Sequence, residues 1–369
     1  MRRTALAIVL ALFTASAQAV TITRGPYLGR PDDRSVAIAW RTDVPADSRV
    51  DYALDGSEEW TTLQSTDALT EHRVTLDGLV PGALYRYRVF SGGVALAPES
   101  RFRSPRDESQ QEFTFAVIGD TNRRFIPAVI AERLVEAEPD FAIHTGDVVY
   151  PAGSDDLYDD EYFRPFAPFL RQAAVLPTFG NHDTVTERGA PLLRNFVLPS
   201  SGTSAGSRFY SFRHGHALFV SVDIETSSFG AGSLQYGWLR RQLEESEATW
   251  KFVYVHQPPY SSDRSNAFVR MILGPLFERY GVDIVFSGNA HLYERTHPIC
   301  DFGVPRCKGV VYITEGGGGA RFSNFRRQKF TAFVKNRHGY TLVSIAGERL
   351  RLTSHDLDGS VVDSLELKR

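Results

Sequence analysis

From residue 113 onward, short apolar runs alternate with stretches of helical spacing, and five of those runs stop beside a residue type that binds metals. That alternation confines most of the chain to an α/β fold, because strands separated by helices pair in parallel and present their carboxyl ends at one edge. Residues 113–118 read as a strand, 126–138 as a helix, and 141–143 and 174–178 as further strands. Helical spacing over 233–247 and 267–280 alternates with strands at 252–255 and 284–286. The later part mixes in antiparallel signals, a hairpin turning near His214-Gly215 and strands at 310–313, 340–345 and 350–354, so a wholly parallel sheet is not expected.

Ahead of this region the period changes to two. Val36-Ile38-Trp40, Val50-Tyr52, Val74-Leu76 and Tyr85-Tyr87-Val89 alternate with polar residues, the pattern of short half-buried strands in an all-β sandwich. The segment 79–85, Leu-Val-Pro-Gly-Ala-Leu-Tyr, resembles the tyrosine corner of fibronectin type III domains, in which a Tyr hydroxyl ties back to nearby backbone. No metal-ligand spacing occurs here, so this part reads as a scaffold. A chain of 369 residues accommodates two domains. The expected division is a sandwich over 20–105, a polar linker over 106–112 and an α/β domain over 113–369.

At the start, Arg2 and Arg3 precede an apolar run over 5–13, and Ala17-Gln18-Ala19 offers a small-residue cleavage site. This reads as a secretory signal peptide cleaved near Ala19, since nine apolar residues fall short of the roughly 20 that span a bilayer. In the oxidising space that export implies, Cys300 and Cys307 can close a small loop; the alternative is two unpaired thiols. A net charge of −3 with no Lys/Arg block lacks the electrostatic footprint of a nucleic-acid binder.

The strand ends carry the chemistry. They are Gly119-Asp120-Thr121-Asn122, Gly146-Asp147-Val148-Val149-Tyr150, Gly180-Asn181-His182-Asp183, Val253-Tyr254-Val255-His256 and Gly288-Asn289-Ala290-His291. One strand-end Gly-Asp is an ordinary turn pair. Five ends converging on one edge would crowd carboxylates and imidazoles that a cation must reconcile, and oxygen mixed with imidazole nitrogen suits Fe, Mn or Zn. Each glycine is expected to let the backbone turn so that the next side chain points into the site.

In order and content these motifs resemble the calcineurin-like metallophosphoesterases, and specifically the purple acid phosphatases: Asp-x-Gly, Gly-Asp-x-x-Tyr, Gly-Asn-His-Asp/Glu, Val-x-x-His and Gly-His-x-His. Tyr150, the run Ala290-His291-Leu292-Tyr293-Glu294-Arg295 and the N-terminal sandwich point to that branch. The resemblance implies a catalytic α/β sandwich of two mixed sheets flanked by helices. It further implies a binuclear centre, with Fe³⁺ held by Asp120, Asp147, Tyr150 and His291, and Fe²⁺, Mn²⁺ or Zn²⁺ held by bridging Asp147, Asn181, His256 and the residue at 289. Hydroxide generated at the metals would attack phosphorus, with His182 protonating the leaving group and Asp183 orienting its ring. The implied partner is a small phosphomonoester.

Two departures stand out. Position 289 is Asn where the family has His, so a carboxamide replaces an imidazole at the second metal. Asn122 stands where the family has Gly and is a candidate to touch the first metal or the phosphate. The substrate-contacting histidines of plant members are missing from 261–266, leaving Arg264 as a candidate phosphate contact. The Glu315-Gly316-Gly317-Gly318-Gly319-Ala320 run resembles the glycine turn beside the family's site. Among the other histidines, His144 reads as core and His214 and His216 as surface. His72, His338 and His355 lack ligand spacing, and His297 reads as loop structure. The rival functions are a nucleotide phosphodiesterase and a degenerate pseudo-enzyme that holds phosphate or glycans, the latter favoured by Asn289 alone.

Overall fold

The computed structural model describes residues 19–30, 32–304 and 306–369, so the expected leader lies outside the described residues except for Ala19. The N-terminal part is antiparallel throughout: β1 (Ile22–Gly29), β2 (Val36–Leu54), β3 (Thr61–Leu76), β4 (Leu84–Ser91), β5 (Val94–Ala95) and β6 (Ser100–Arg103). The runs at Val36 and Val50, expected as two strands, are one. Strand β2 pairs with β1 in its first half and with β4 in its second, and its ladder with β3 slips between Arg41 and Ser48. Pro45 sits in that slip, where a bulge tolerates a residue with no N–H to give the ladder. One strand thereby serves both layers, and Trp40, Val50, Tyr87 and Phe102 are buried between them. The Tyr85 hydroxyl accepts the Val80 N–H at 2.9 Å, which is the corner expected from the sequence.

The larger part continues with β7 (Glu112–Ile118), α1 (Phe125–Ala137), β8 (Phe141–His144), α2 (Arg164–Leu170), β9 (Ala174–Pro177), α3 (Ala190–Asn195), β10 (Tyr210–His214) and β11 (Ala217–Val222). After these come α4 (Leu234–Glu244), β12 (Trp250–Val255), α5 (Ala267–Arg279), β13 (Ile284–Ser287), β14 (Tyr293–Thr296), β15 (Val311–Glu315), β16 (Thr331–Lys335), β17 (Gly339–Ala346), β18 (Arg349–Asp356) and β19 (Val361–Lys368). Two mixed sheets result. One runs β19-β18-β17-β7-β8-β9, with β7, β8 and β9 parallel; the other runs β10-β11-β12-β13-β15-β14-β16, with β11, β12, β13 and β15 parallel. Helix starts agree with local chemistry: Ser233 caps α4 by accepting the Tyr236 N–H, and Asn266 caps α5 by accepting those of Phe268 and Val269.

Phenylalanines cement the two sheets face to face. Phe115 of β7 meets Phe219, Phe252 and Phe286 of the opposite sheet at 4.9, 5.2 and 6.0 Å between ring centroids. All four are buried, each stabilising by about 1.5–3 kcal/mol, and truncating Phe115 to Ala is expected to cost about 3–5 kcal/mol. The interlocked sheets fix the relative position of their strand ends, where the site forms.

The N-terminal part docks firmly on this body. Buried Arg24 pairs with Asp159 and Asn195, Arg30 N–H donates to the Val197 carbonyl at 3.0 Å, and the Tyr87 hydroxyl donates to the Arg171 carbonyl at 2.9 Å. This docking corrects one expectation: His214 and His216 are buried, not surface. The hairpin turn that carries them packs beneath the segment joining the two parts, with Gly215 N–H donating to the Arg106 carbonyl and the His214 ring against Phe113 and Phe141. His144 is core as expected, and burial pushes its ring down to about 3. Cys300 and Cys307 form a disulfide. No helix among the described residues is long and apolar enough to cross a membrane.

Candidate metal centre

Strands β7, β8 and β9 of one sheet and β12 and β13 of the other end at the same place. There the side chains of Asp120, Asp147 and His256 come within 4.8 Å of one another. The backbone is forced into shape. Asp120, Asp147 and Asn289 adopt φ of 55°, 54° and 61°, a left-handed conformation costing on the order of 1–3 kcal/mol at a non-glycine residue. The glycines therefore act differently from the sequence expectation. Among Gly119, Gly146, Gly180 and Gly288, only Gly146 has positive φ; the turn is made mostly by the functional residue itself. Gly119 and Gly180 are required by space, since a Cβ there would lie 1.8 Å from Thr145 Oγ1 and 2.1 Å from the Asp147 nitrogen.

Both imidazoles are held from behind. His256 Nδ1 donates to the Thr145 carbonyl at 2.9 Å, turning Nε2 toward Asn181 Oδ1 at 3.1 Å and Asp147 Oδ1 at 3.5 Å. His291 Nδ1 donates to the Arg321 carbonyl at 2.6 Å, leaving Nε2 3.5 Å from Asp120 Oδ1 and 3.3 Å from the Tyr150 hydroxyl. A backbone acceptor that fixes the outer nitrogen is how metal-binding histidines are oriented. Tyr150 donates to Asp147 Oδ2 at 2.8 Å and lies 3.3 Å from Asp120 Oδ1.

The electrostatics call for positive charge. Asp120 and Asp147 are fully buried, and among the described residues their partners are backbone N–H groups, Tyr150 and the two histidines, none of them a lysine or arginine. Buried carboxylates need a counter-charge or a metal. Burial opposes a charge on His256, but the Asp147 carboxylate outweighs it and pushes the ring up to about 10. Burial, reinforced by Asp120 and Asp147, drives the Tyr150 phenol far above its ordinary range. Oxygen donors, two Nε2 atoms and a phenol, with Arg264 reaching Asn289 but neither buried aspartate, fit a transition-metal pair.

The structure brings Asp120, Asp147, Tyr150, Asn181, His256 and His291 together. It treats the remaining candidates differently. His182 Nδ1 donates to the Pro151 carbonyl at 2.6 Å, with its ring 4.4 Å from that of Tyr150. Asp183 does not orient that ring, contrary to expectation. It is buried, and accepts the Val148, Val149 and Gly180 N–H groups at 2.8, 3.3 and 2.9 Å, stapling the Asp147 turn to the Asn181 turn. Adjacent side chains diverge, so Asp183 points inward where His182 points out. Burial, reinforced by Asp147, pushes the Asp183 carboxyl up to about 7. Asn289 gives its backbone N–H to Asp120 at 3.1 Å, while its Oδ1 lies 3.5 Å from the Arg264 guanidinium, which donates to the Asn289 carbonyl at 3.0 Å. The Asn122 Oδ1 is occupied by the Arg123 N–H at 2.7 Å.

Sequence reasoning missed one feature. Glu225, just beyond β11, accepts from Gln257 at 2.7 Å and bears electrostatically on His256; the strand-end rule applied to Asp223-Ile224-Glu225 would have found it. The glycine run after β15, read from the sequence as a turn beside the site, packs on the first motif, with Gly318 N–H donating to the Gly119 carbonyl at 2.8 Å. Cavities of about 620 and 800 Å³ lie at the seam between the two parts, and none of the metal-ligand candidates lines them.

Comparison with known proteins gives three consecutive matches: a "Purple acid Phosphatase, N-terminal domain" over 26–104, a "Calcineurin-like phosphoesterase" over 113–293 and an "Iron/zinc purple acid phosphatase-like protein C" over 309–364. Purple acid phosphatase 23 of Arabidopsis thaliana is 28% identical over 286 residues, covering 67% of this chain; the chain spans 62% of that relative's length. Fe(3+)-Zn(2+) purple acid phosphatase 12 of the same plant is 25% identical over 380 residues, covering 89% of this chain and 79% of the relative. A purple acid phosphatase isolated from yellow lupin (Lupinus luteus) seeds shares the fold with a TM-score of 0.80 at 18% identity, covering 93% of this chain and 74% of that one. With its N-terminal, catalytic and C-terminal segments all matched in order and the strand-end donors gathered in one place, the chain belongs to the purple acid phosphatase family of calcineurin-like phosphoesterases, enzymes that hydrolyse phosphate esters.

Proposed function

We propose that this chain is an exported binuclear phosphatase that hydrolyses small phosphomonoesters. The observation that carries the reading is the convergence of Asp120, Asp147, Tyr150, Asn181, His256 and His291 from five strand ends, with no lysine or arginine bonded to either buried aspartate among the described residues. Asp120, Tyr150 and His291 would hold Fe³⁺, Asn181, His256 and the Asn289 oxygen would hold Fe²⁺, Mn²⁺ or Zn²⁺, and Asp147 would bridge. When bound, such a pair supplies a water that ionises at workable pH and neutralises charge on the phosphoryl group.

The remaining steps belong to the chain's own residues. His182, with Nδ1–H anchored on the Pro151 carbonyl, presents Nε2 outward, and a proton carried there is available to the departing alkoxide. Arg264, tethered to the Asn289 carbonyl, would offer a donor to a phosphoryl oxygen bound at the metals. Asp183 keeps the Asp147 and Asn181 turns in register. Export rests on the leader and on the Cys300–Cys307 bond, and predicts a mature N-terminus near Val20 by terminal sequencing.

The test is turnover of p-nitrophenyl phosphate against its bis-aryl diester by metal-loaded protein. Preferential cleavage of the monoester supports the reading, and preferential diester cleavage replaces it with a phosphodiesterase. One observation favours the pseudo-enzyme alternative: the Asn289 carboxamide stands within reach of Arg264, which competes with a metal for its oxygen. Absence of turnover on both esters would establish that alternative.

A further inference from the structure

The segment that anchors His291 also carries an aromatic pair. The Arg321 carbonyl accepts from His291 Nδ1 at 2.6 Å, Ser323 Oγ accepts the His291 N–H at 2.9 Å, and the Asn336 carboxamide donates to the Ser323 carbonyl at 2.9 Å. Phe322, between these two anchors, has its ring stacked on His338 at 4.2 Å and 24°, yet remains 41% exposed. A large apolar ring held rigidly, with one face covered and the other in solvent, gains by accepting another flat ring. Little rotamer entropy remains to be lost, because His338 and the flanking hydrogen bonds already fix it.

We propose that the outer face of Phe322 is the stacking platform for a planar base on the leaving group, so that the site favours nucleoside phosphates over ring-free phosphate esters. The inference rests on the phosphatase reading and names its substrate class. Geometry selects the nucleotide over a simple aryl phosphate. Phe322 adjoins the Nδ1 side of His291, whereas Nε2 faces Asp120 and Tyr150. A ring reaching Phe322 is therefore separated from the scissile phosphorus by at least the breadth of an imidazole, which calls for a spacer such as ribose. Arg123 and Arg321, both exposed on the flanking backbone, add positive charge for further phosphates.

The test uses adenosine 5′-monophosphate and ribose 5-phosphate, which both release a primary C5 alkoxide of ribose and differ at C1, adenine in one and a hydroxyl in the other. Metal-loaded full-length protein should prefer the nucleotide in kcat/KM, mainly through KM, by about 5- to 150-fold, the range that base–aromatic stacking supports. Phe322→Ala should bring the ratio toward one, and Phe322→Trp should keep or raise it. A ratio near one in the natural protein, or a Phe322→Ala variant that slows both esters alike, overturns the platform and leaves Phe322 as support for His291. Should neither ester turn over, the phosphatase reading fails separately. The platform is then judged by Trp fluorescence in Phe322→Trp, which adenosine monophosphate should quench and ribose 5-phosphate should not; equal or no quenching overturns it.

Discussion

Replacing Arg337 with Met isolates a buried ion pair that seats the glycine turn. The Arg337 guanidinium is 2% exposed overall and bonds Glu315, Ser354 Oγ at 2.7 Å and the face of Tyr293 at 5.0 Å. Glu315 is fully buried, its carboxylate accepts otherwise only from neutral groups among the described residues, the Thr341 hydroxyl at 2.5 Å and the Gly317 backbone, and it directly precedes the run that packs on Gly119. Methionine keeps most of the stem's volume but strands the carboxylate, a loss of about 3–5 kcal/mol. Burial raises the Glu315 carboxyl above its ordinary 4.5, and Arg337 opposes that rise. A carboxyl raised in the folded state binds more protons there than in the unfolded chain, so stability falls as pH climbs from 4.5 through the folded value. Without Arg337 that value moves higher and the falling range extends upward. Urea unfolding followed by far-UV circular dichroism should therefore show a larger deficit at pH 8 than at pH 5. Arg337→Met combined with Glu315→Leu should recover most of it, since no buried charge remains. A deficit below about 1 kcal/mol, equal deficits at both pH values, or no recovery in the double variant refutes the reasoning.

Two further outcomes follow from the centre. Iron-loaded protein should show a visible absorption band that Tyr150→Phe abolishes while far-UV circular dichroism is retained; a band that survives the substitution removes the phenolate from the metal. His182→Ala should slow alkyl phosphates far more than activated aryl phosphates, by roughly 10²–10⁴-fold, because only a poor leaving group needs the proton. Equal slowing of both classes assigns His182 another task.

The strand-end residues were legible because each donor follows its strand by a few residues, so reading the β-α alternation also located the ligands. Long strands with a bulge were not legible: period two cannot say whether Val36 and Val50 share one strand, since only the pairing with β1 and β4 resolves the slip at Pro45. The edge strands β16 and β19 and the inner strand β14 escaped notice because Thr331–Lys335 and Val361–Lys368 alternate weakly and are only partly buried, while Tyr293–Thr296 was absorbed into a motif. His214 was misjudged because its burial depends on the N-terminal part packing over a turn, a contact that local sequence does not encode. The orientation of Asp183 follows from the same divergence of neighbours that separates His182 from Asn181, and the sequence contained that clue.

The central claim is a two-metal centre in which Asn289 stands for an imidazole. Metal bound per chain, measured by plasma emission after titrating the apo-protein with iron and then manganese or zinc, tests it most directly when run on the natural sequence and on Asn289→His with phosphatase activity in parallel. The account predicts two metals per chain and activity in the natural protein, with tighter binding of the second metal in the His variant. One metal per chain and no activity, with both restored by histidine, would contradict it.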